Sequence, residues 1–138
     1  MEYRNFKSGD LVCHFKWHNN SEKEMKENNY LYKIIATDVK HTETGEIFMV
    51  YQAQYGDKGI YARPLDMFMS EVDRSKYPDS VQKYRLIKYN EDALNFFRGL
   101  SESERVKVLS TDYSLAEFLD KYRVSEEFYF YIRSNLEL

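Results

Sequence analysis

From Glu46 to Tyr55 the chain alternates between two faces, and glycine-bearing turns fence that alternation on both sides. Tyr, Val, Ile and Phe dominate the stretch, and these residues suit a pleated, half-buried surface. Ile47, Met49, Tyr51, Ala53 and Tyr55 share one face at period two, and Phe48, Val50, Gln52 and Gln54 share the other. The first face is the more apolar and is placed inward. Thr44-Gly45 before the stretch and Gly56-Asp57-Lys58-Gly59 after it supply the positive-φ positions that hairpin turns need. Ile60 to Arg63 reads as a further strand, stopped at Pro64 because proline cannot donate to a ladder. With Tyr30 to Lys40 arriving from the other side, the pattern predicts three antiparallel strands.

The flanking segments extend this sheet. Met1 to Ser8 is a polar lead-in, Gly9-Asp10 is a turn signal, and Leu11 to Phe15 reads as a first strand. Trp17 to Asn29 interleaves Lys with Glu and is expected to be an exposed loop, packed down at its base by Trp17. Both faces of Tyr30 to Val39 are partly apolar, which suits a strand curling within a barrel. Met69 to Ser80 reads as irregular, and Val81 to Lys88 as a closing strand.

At Asn90 the period shifts from two toward 3.6. Asn90 is an N-cap, with Ala93, Leu94 and Phe97 as the stripe behind it and Gly99 as the stop. Ser101 with Glu104, and Ser114 with Glu117, read as capping boxes, and Ser125 caps a last helix. The expected fold is α+β: a small bent antiparallel sheet or SH3-like barrel, followed by a C-terminal cluster of short α-helices. The boundary is placed between 1–89 and 90–138. Charge divides there too, with 14 basic and 13 acidic residues before it and 6 and 10 after it. The acidic helical part is expected to pack on the barrel or to act as a separate interaction module.

One set of short motifs carries a family resemblance. His14-Phe15-Lys16, His41-Thr42-Glu43-Thr44 with Glu46, Val50-Tyr51, Tyr55-Gly56, and Arg63-Pro64 with Met67-Phe68 resemble the bacterial domain-of-unknown-function family 1653. The resemblance covers about residues 9–85. It implies a small β-barrel-like domain and no established activity. The chain departs from the pattern by inserting Trp17 to Asn29 and by carrying Tyr61 where the family tends to carry Trp.

Composition narrows the function classes. A chain of 138 residues allows one domain, or one with an appendage. The N-terminal ten residues lack the apolar core of a signal peptide, and no apolar run approaches membrane-spanning length. The single cysteine, Cys13, cannot close an internal disulfide and fits a reducing cytoplasm. It reads as a buried strand residue rather than a nucleophile. His14, His18, His41 and Cys13 form no recognisable ligand spacing, so no metal is expected. Gly-rich phosphate loops, nucleophile elbows and zinc-protease helices do not occur, and no cofactor is expected. Leu109 to Leu138 has a helix-turn-helix outline, but its last helix offers only Arg133 against Glu126, Glu127 and Glu137. A DNA-reading helix should be basic, which argues against DNA.

Candidate site residues are His41, Glu43, Glu46, Tyr61 and Arg63. Arg63 could meet the Glu46 carboxylate across the hairpin or hold an anionic or carbonyl group, with His41 or Glu43 reading it. The structural alternative is a turn-stabilising ion pair beside a solvated histidine. Tyr51, Tyr55 and Tyr61 are read as an aromatic wall beside Arg63. The favoured function is a non-enzymatic binding module for a protein partner or small ligand. One rival is an RNA-associated barrel using Arg63, Lys40, Lys58 and the tyrosines. The other is an enzyme using His41 and Glu43 as an acid–base pair.

Overall fold

The computed structural model describes residues 4–110 and 113–137. Met1 to Tyr3 of the expected lead-in, and Leu138, lie outside the described residues. Five strands form one sheet: β1 (Leu11–His14), β2 (Leu31–Lys40), β3 (Ile47–Ala53), β4 (Ile60–Pro64) and β5 (Leu86–Lys88). Their order is β4-β3-β2-β1-β5, and every pairing is antiparallel. β4 and β5 are the two edges, so the sheet is open. The bent-sheet form of the expected architecture is therefore present, and the closed barrel is not.

The expected closing strand is spent elsewhere. Only Leu86–Lys88 of the 81–88 segment enters the sheet, while Gln82 and Tyr84 bridge singly to Leu136 and Glu71. Curvature comes from β2. Its register against β3 shifts between Ile34 and Ala36 and again between Ala36 and Val39, and Asp38 lies at φ 54°. Such bulges bend a strand and strengthen its twist. They also explain why both faces of this strand read as partly apolar.

Register assigns the two faces. Met49, Tyr51 and Ala53 are buried, as the alternation predicts, and Met49 and Tyr51 oppose Arg63 and Tyr61 on β4. Val12, Ile34 and Leu86 join this face, which is covered by Phe68 and Phe6. Phe68 closes α2 (Leu65–Phe68), a short helix begun directly after Pro64. On the opposite face Cys13, Leu31 and Ile87 lie in register across three strands. They share a core with Ala93, Leu94, Phe97, Phe118, Tyr131 and Ile132, so the helical half packs on the sheet.

That half consists of α3 (Glu91–Gly99), α4 (Glu102–Leu109), α5 (Leu115–Tyr122) and α6 (Glu126–Asn135). Asn90, Ser101, Ser114 and Ser125 each accept the N3 backbone N–H, which satisfies one otherwise orphaned donor per helix. Glu104, expected in a capping box, instead accepts from the Tyr122 hydroxyl and Lys121, tying α4 to α5.

The 17–29 insertion differs from the expected loop. Phe15–Asn19 forms a 3₁₀ turn, and Ser21 and Glu24 form a complete capping box on α1 (Glu22–Lys26). No residue of α1 is buried, but Trp17 at its base is 1% exposed. The lone Trp thus anchors the insertion, as expected.

Candidate functional site

The structure separates the five residues singled out in the sequence. His41, Glu43 and Glu46 are exposed in the turn between β2 and β3. The backbone N–H groups of Glu43 and Thr44 donate to His41 Nδ1 at 3.2 and 3.3 Å, so the imidazole organises its own turn. Arg63 makes no ion pair with Glu46 among the described residues. It opposes Met49 on β3, and its Nε donates to the Tyr51 hydroxyl at 3.3 Å. Tyr61 lies across from Tyr51, ring centroids 6.2 Å apart. The aromatic wall beside Arg63 is therefore present. Tyr32 joins it, with its hydroxyl 2.8 Å from that of Tyr55 and its ring edge-on to Tyr51 at 5.3 Å.

The wall leads to His14, where the sheet ends and the 3₁₀ turn begins. His14 stacks on Phe15 at 4.3 Å and on Tyr30 at 5.5 Å. The Lys16 N–H donates to its Nδ1 at 3.1 Å, which fixes the proton on Nε2. Burial, and then the positive charges of Lys16, Arg85 and Arg63, lower its pKa to about 3. Three cations thus surround one uncharged imidazole. β1 stops at His14, and Lys16 belongs to the turn that follows.

Beside His14 opens a recess of about 190 Å³ that includes Lys16, Lys76, Tyr77 and Arg85 in its lining. It shares Phe15, Lys16, Lys76 and Tyr77 with a larger cleft of about 560 Å³, which runs on to His18, Asn20, Arg98 and Arg105. That size is in the range of small-molecule sites. The two lobes together carry five basic side chains and three acidic ones (Glu24, Asp73, Asp79), a local net of +2 in a chain of net −3.

None of the five basic side chains forms an ion pair among the described residues. Arg98 donates to the carbonyls of His18 and Asn20, and Arg105 to those of Phe97 and Arg98, so both charges meet dipoles rather than carboxylates. Two of the three acids are occupied locally. Glu24 closes its capping box, and Asp73 accepts from the Ser75 backbone and hydroxyl.

Gln82, fully buried, holds this region together. Its Nε2 donates to the carbonyls of Cys13 and Tyr84 at 3.0 Å, which leaves Oε1 to accept from His18 Nε2 at 3.0 Å. Burial first lowers the His18 pKa to about 4, and the charges of Arg98 and Arg105 add to the effect against the Gln82 hydrogen bond, so His18 is neutral.

A family model described as a protein of unknown function, DUF1653, matches residues 1–86. The chain belongs to the DUF1653 family. The matched region carries β1 to β4, the aromatic wall, His14, Lys16, Lys76 and Arg85. Arg98 and Arg105 on the far wall of the cleft lie beyond it. No curated protein and no solved structure matches the chain significantly.

Cys13 is buried and its thiol pKa is raised by burial. No group of three or more His, Cys, Asp or Glu side chains suited to a metal occurs among the described residues. No helix among them is long and apolar enough to cross a membrane. Arg133, the one base on α6, donates to the carbonyls of Val108 and Ser110 and is committed to packing α6 against α4.

Lys76, Tyr77, Arg85, Arg98 and Arg105 escaped the sequence reading. Their spacing carries no motif, and Arg98 and Arg105 sit in the acidic half. The one available signal was Ser21 with Glu24, a capping-box pattern that would have shown the insertion to be folded and able to form a wall.

Proposed function

We propose that this DUF1653 member is a non-enzymatic binding module whose cleft holds a small anionic ligand on Lys16, Lys76 and Arg85. The observation that carries the reading is a set of cations, gathered around the uncharged His14, with no carboxylate partner among the described residues. Cations in a partly desolvated recess attract an anion more strongly than they would in open water. In this reading residues 1–89 supply the anion site and residues 90–138 supply the opposite wall.

The acid–base inventory supports binding rather than proton-transfer chemistry. His14 and His18 are held neutral with pKa values near 3 and 4. Glu24 is held below the usual carboxylate range by the Ser21 backbone hydrogen bond, and Asp73 by its hydrogen bonds to Ser75. A general acid or base works best with a pKa near the operating pH, and these four groups lie well below neutrality.

The test is thermal unfolding of the full chain in inorganic phosphate against sodium chloride of equal ionic strength. Phosphate should raise Tm in a saturable way, and Arg85→Ala should abolish the rise. Equal curves in the two salts would overturn the reading.

A further inference from the structure

The two edges of the sheet are finished differently. At β5 the pairing with β1 turns the carbonyls of Leu86 and Lys88 outward, and both are capped. Arg4 donates to the Leu86 carbonyl and the Tyr131 hydroxyl to that of Lys88. At β4 the outer edge is bare. The Ala53 N–H donates to the Gly59 carbonyl at 3.0 Å, and antiparallel alternation from that pair turns Tyr61 and Arg63 toward β3. The N–H and C=O groups of Ile60 and Ala62 therefore point outward, and they have no hydrogen-bond partner among the described residues. The side chains are bare too, with Ile60 62% exposed and Tyr61 48%. An uncovered strand edge is a template for another strand, and folds usually blunt it. Pro64 blunts only the end of β4, where it removes one donor.

The β4 edge is complementary to itself. A two-fold axis at Ala62 sets Ala62 against Ala62 of a second copy, Ile60 against Pro64, and Tyr61 against Arg63. The Ala62 N–H then donates to the facing Ala62 carbonyl and the Ile60 N–H to the facing Pro64 carbonyl, so the missing Pro64 donor leaves both intact. The same register sets Lys58 against Asp66 at each end. Both are exposed, and neither forms an ion pair among the described residues. We propose that a second copy of this chain docks antiparallel along β4, joining the two sheets into one. With a 5-residue strand on each side, against roughly 20–30 residues in a standard interface, the dimer is weak. Docking along β4 requires nothing of the anion site.

Analytical ultracentrifugation of the full chain, from micromolar concentration to about 1 mM, tests the proposal. The expected result is a reversible monomer–dimer equilibrium. Ala62→Pro removes an outward N–H and none of those given to β3, so it should weaken the dimer about tenfold or more with circular dichroism unchanged. Lys58→Asp sets acid against acid at both ends and should weaken the dimer about fivefold. Adding Asp66→Lys to that variant should restore it, a rescue that holds whether or not the proline variant folds. A chain still monomeric at about 1 mM overturns the proposal and leaves the edge to a foreign strand. A dimer indifferent to Ala62→Pro and to Lys58→Asp overturns it as well, because its contact lies elsewhere.

Discussion

The turn that holds His41 and the cleft that holds His14 contain similar residue types and do different things. At the turn, His41 is exposed and accepts two N–H groups from its own loop, with Glu43 and Glu46 facing solvent. At the cleft, His14 is packed between rings, and Lys16, Arg63 and Arg85 bear on it from three separate elements. Polar density along a sequence marks a turn as readily as a site. A site arises where the fold brings like charges together and leaves them without opposite partners, which costs stability unless a ligand supplies the counter-charge.

The largest expected contrast is in packing. Trp17 is buried at the base of the 17–29 insertion, with the Arg98 guanidinium over its ring at 5.8 Å. Trp17→Ala should cost about 3–5 kcal/mol in urea unfolding and remove phosphate-dependent stabilisation. A loss under about 1 kcal/mol would mean that the insertion does not depend on that anchor.

Next comes acid sensitivity. His14 and His18 have folded pKa values near 3 and 4, below the ordinary histidine value near 6.5. Between those values the unfolded chain binds more protons, so stability should fall as pH drops below about 6.5 and level off near the folded values. His18 alone accounts for on the order of 3 kcal/mol. His18→Gln should flatten urea-derived stability between pH 6.5 and 4. An unchanged slope would contradict the buried, neutral state of His18.

Smaller effects separate the two regions more sharply. Arg85 has no side-chain ion pair among the described residues, so Arg85→Ala should change stability by less than about 0.5 kcal/mol while abolishing the response to phosphate. His41→Ala removes two hydrogen bonds from an exposed turn and should cost about 0.5–1 kcal/mol with the phosphate response intact. Reversal of this pair of outcomes would return the site to the turn.

Much of the fold was legible, because it rests on local rules. Period-two burial of Met49, Tyr51 and Ala53, the stop at Pro64, and the four helix N-caps each depend on residues within a few positions. Sheet closure was not legible. It depends on whether 81–88 pairs along its length, and the bridges from Gln82 and Tyr84 to Leu136 and Glu71 divert it. The aromatic wall beside Arg63 was half legible, since hairpin register places Tyr61 and Arg63 opposite Tyr51 and Met49. The cleft was hidden because Lys16, Lys76, Arg85, Arg98 and Arg105 come from four segments that only tertiary packing joins.

The most direct test is a ¹H–¹⁵N chemical-shift titration of the full chain with inorganic phosphate at constant ionic strength. The anion-site account predicts saturable shifts centred on Lys16, Lys76 and Arg85, with the 41–46 turn unmoved. Shifts centred on His41 to Glu46, or no saturable shifts anywhere, would contradict it.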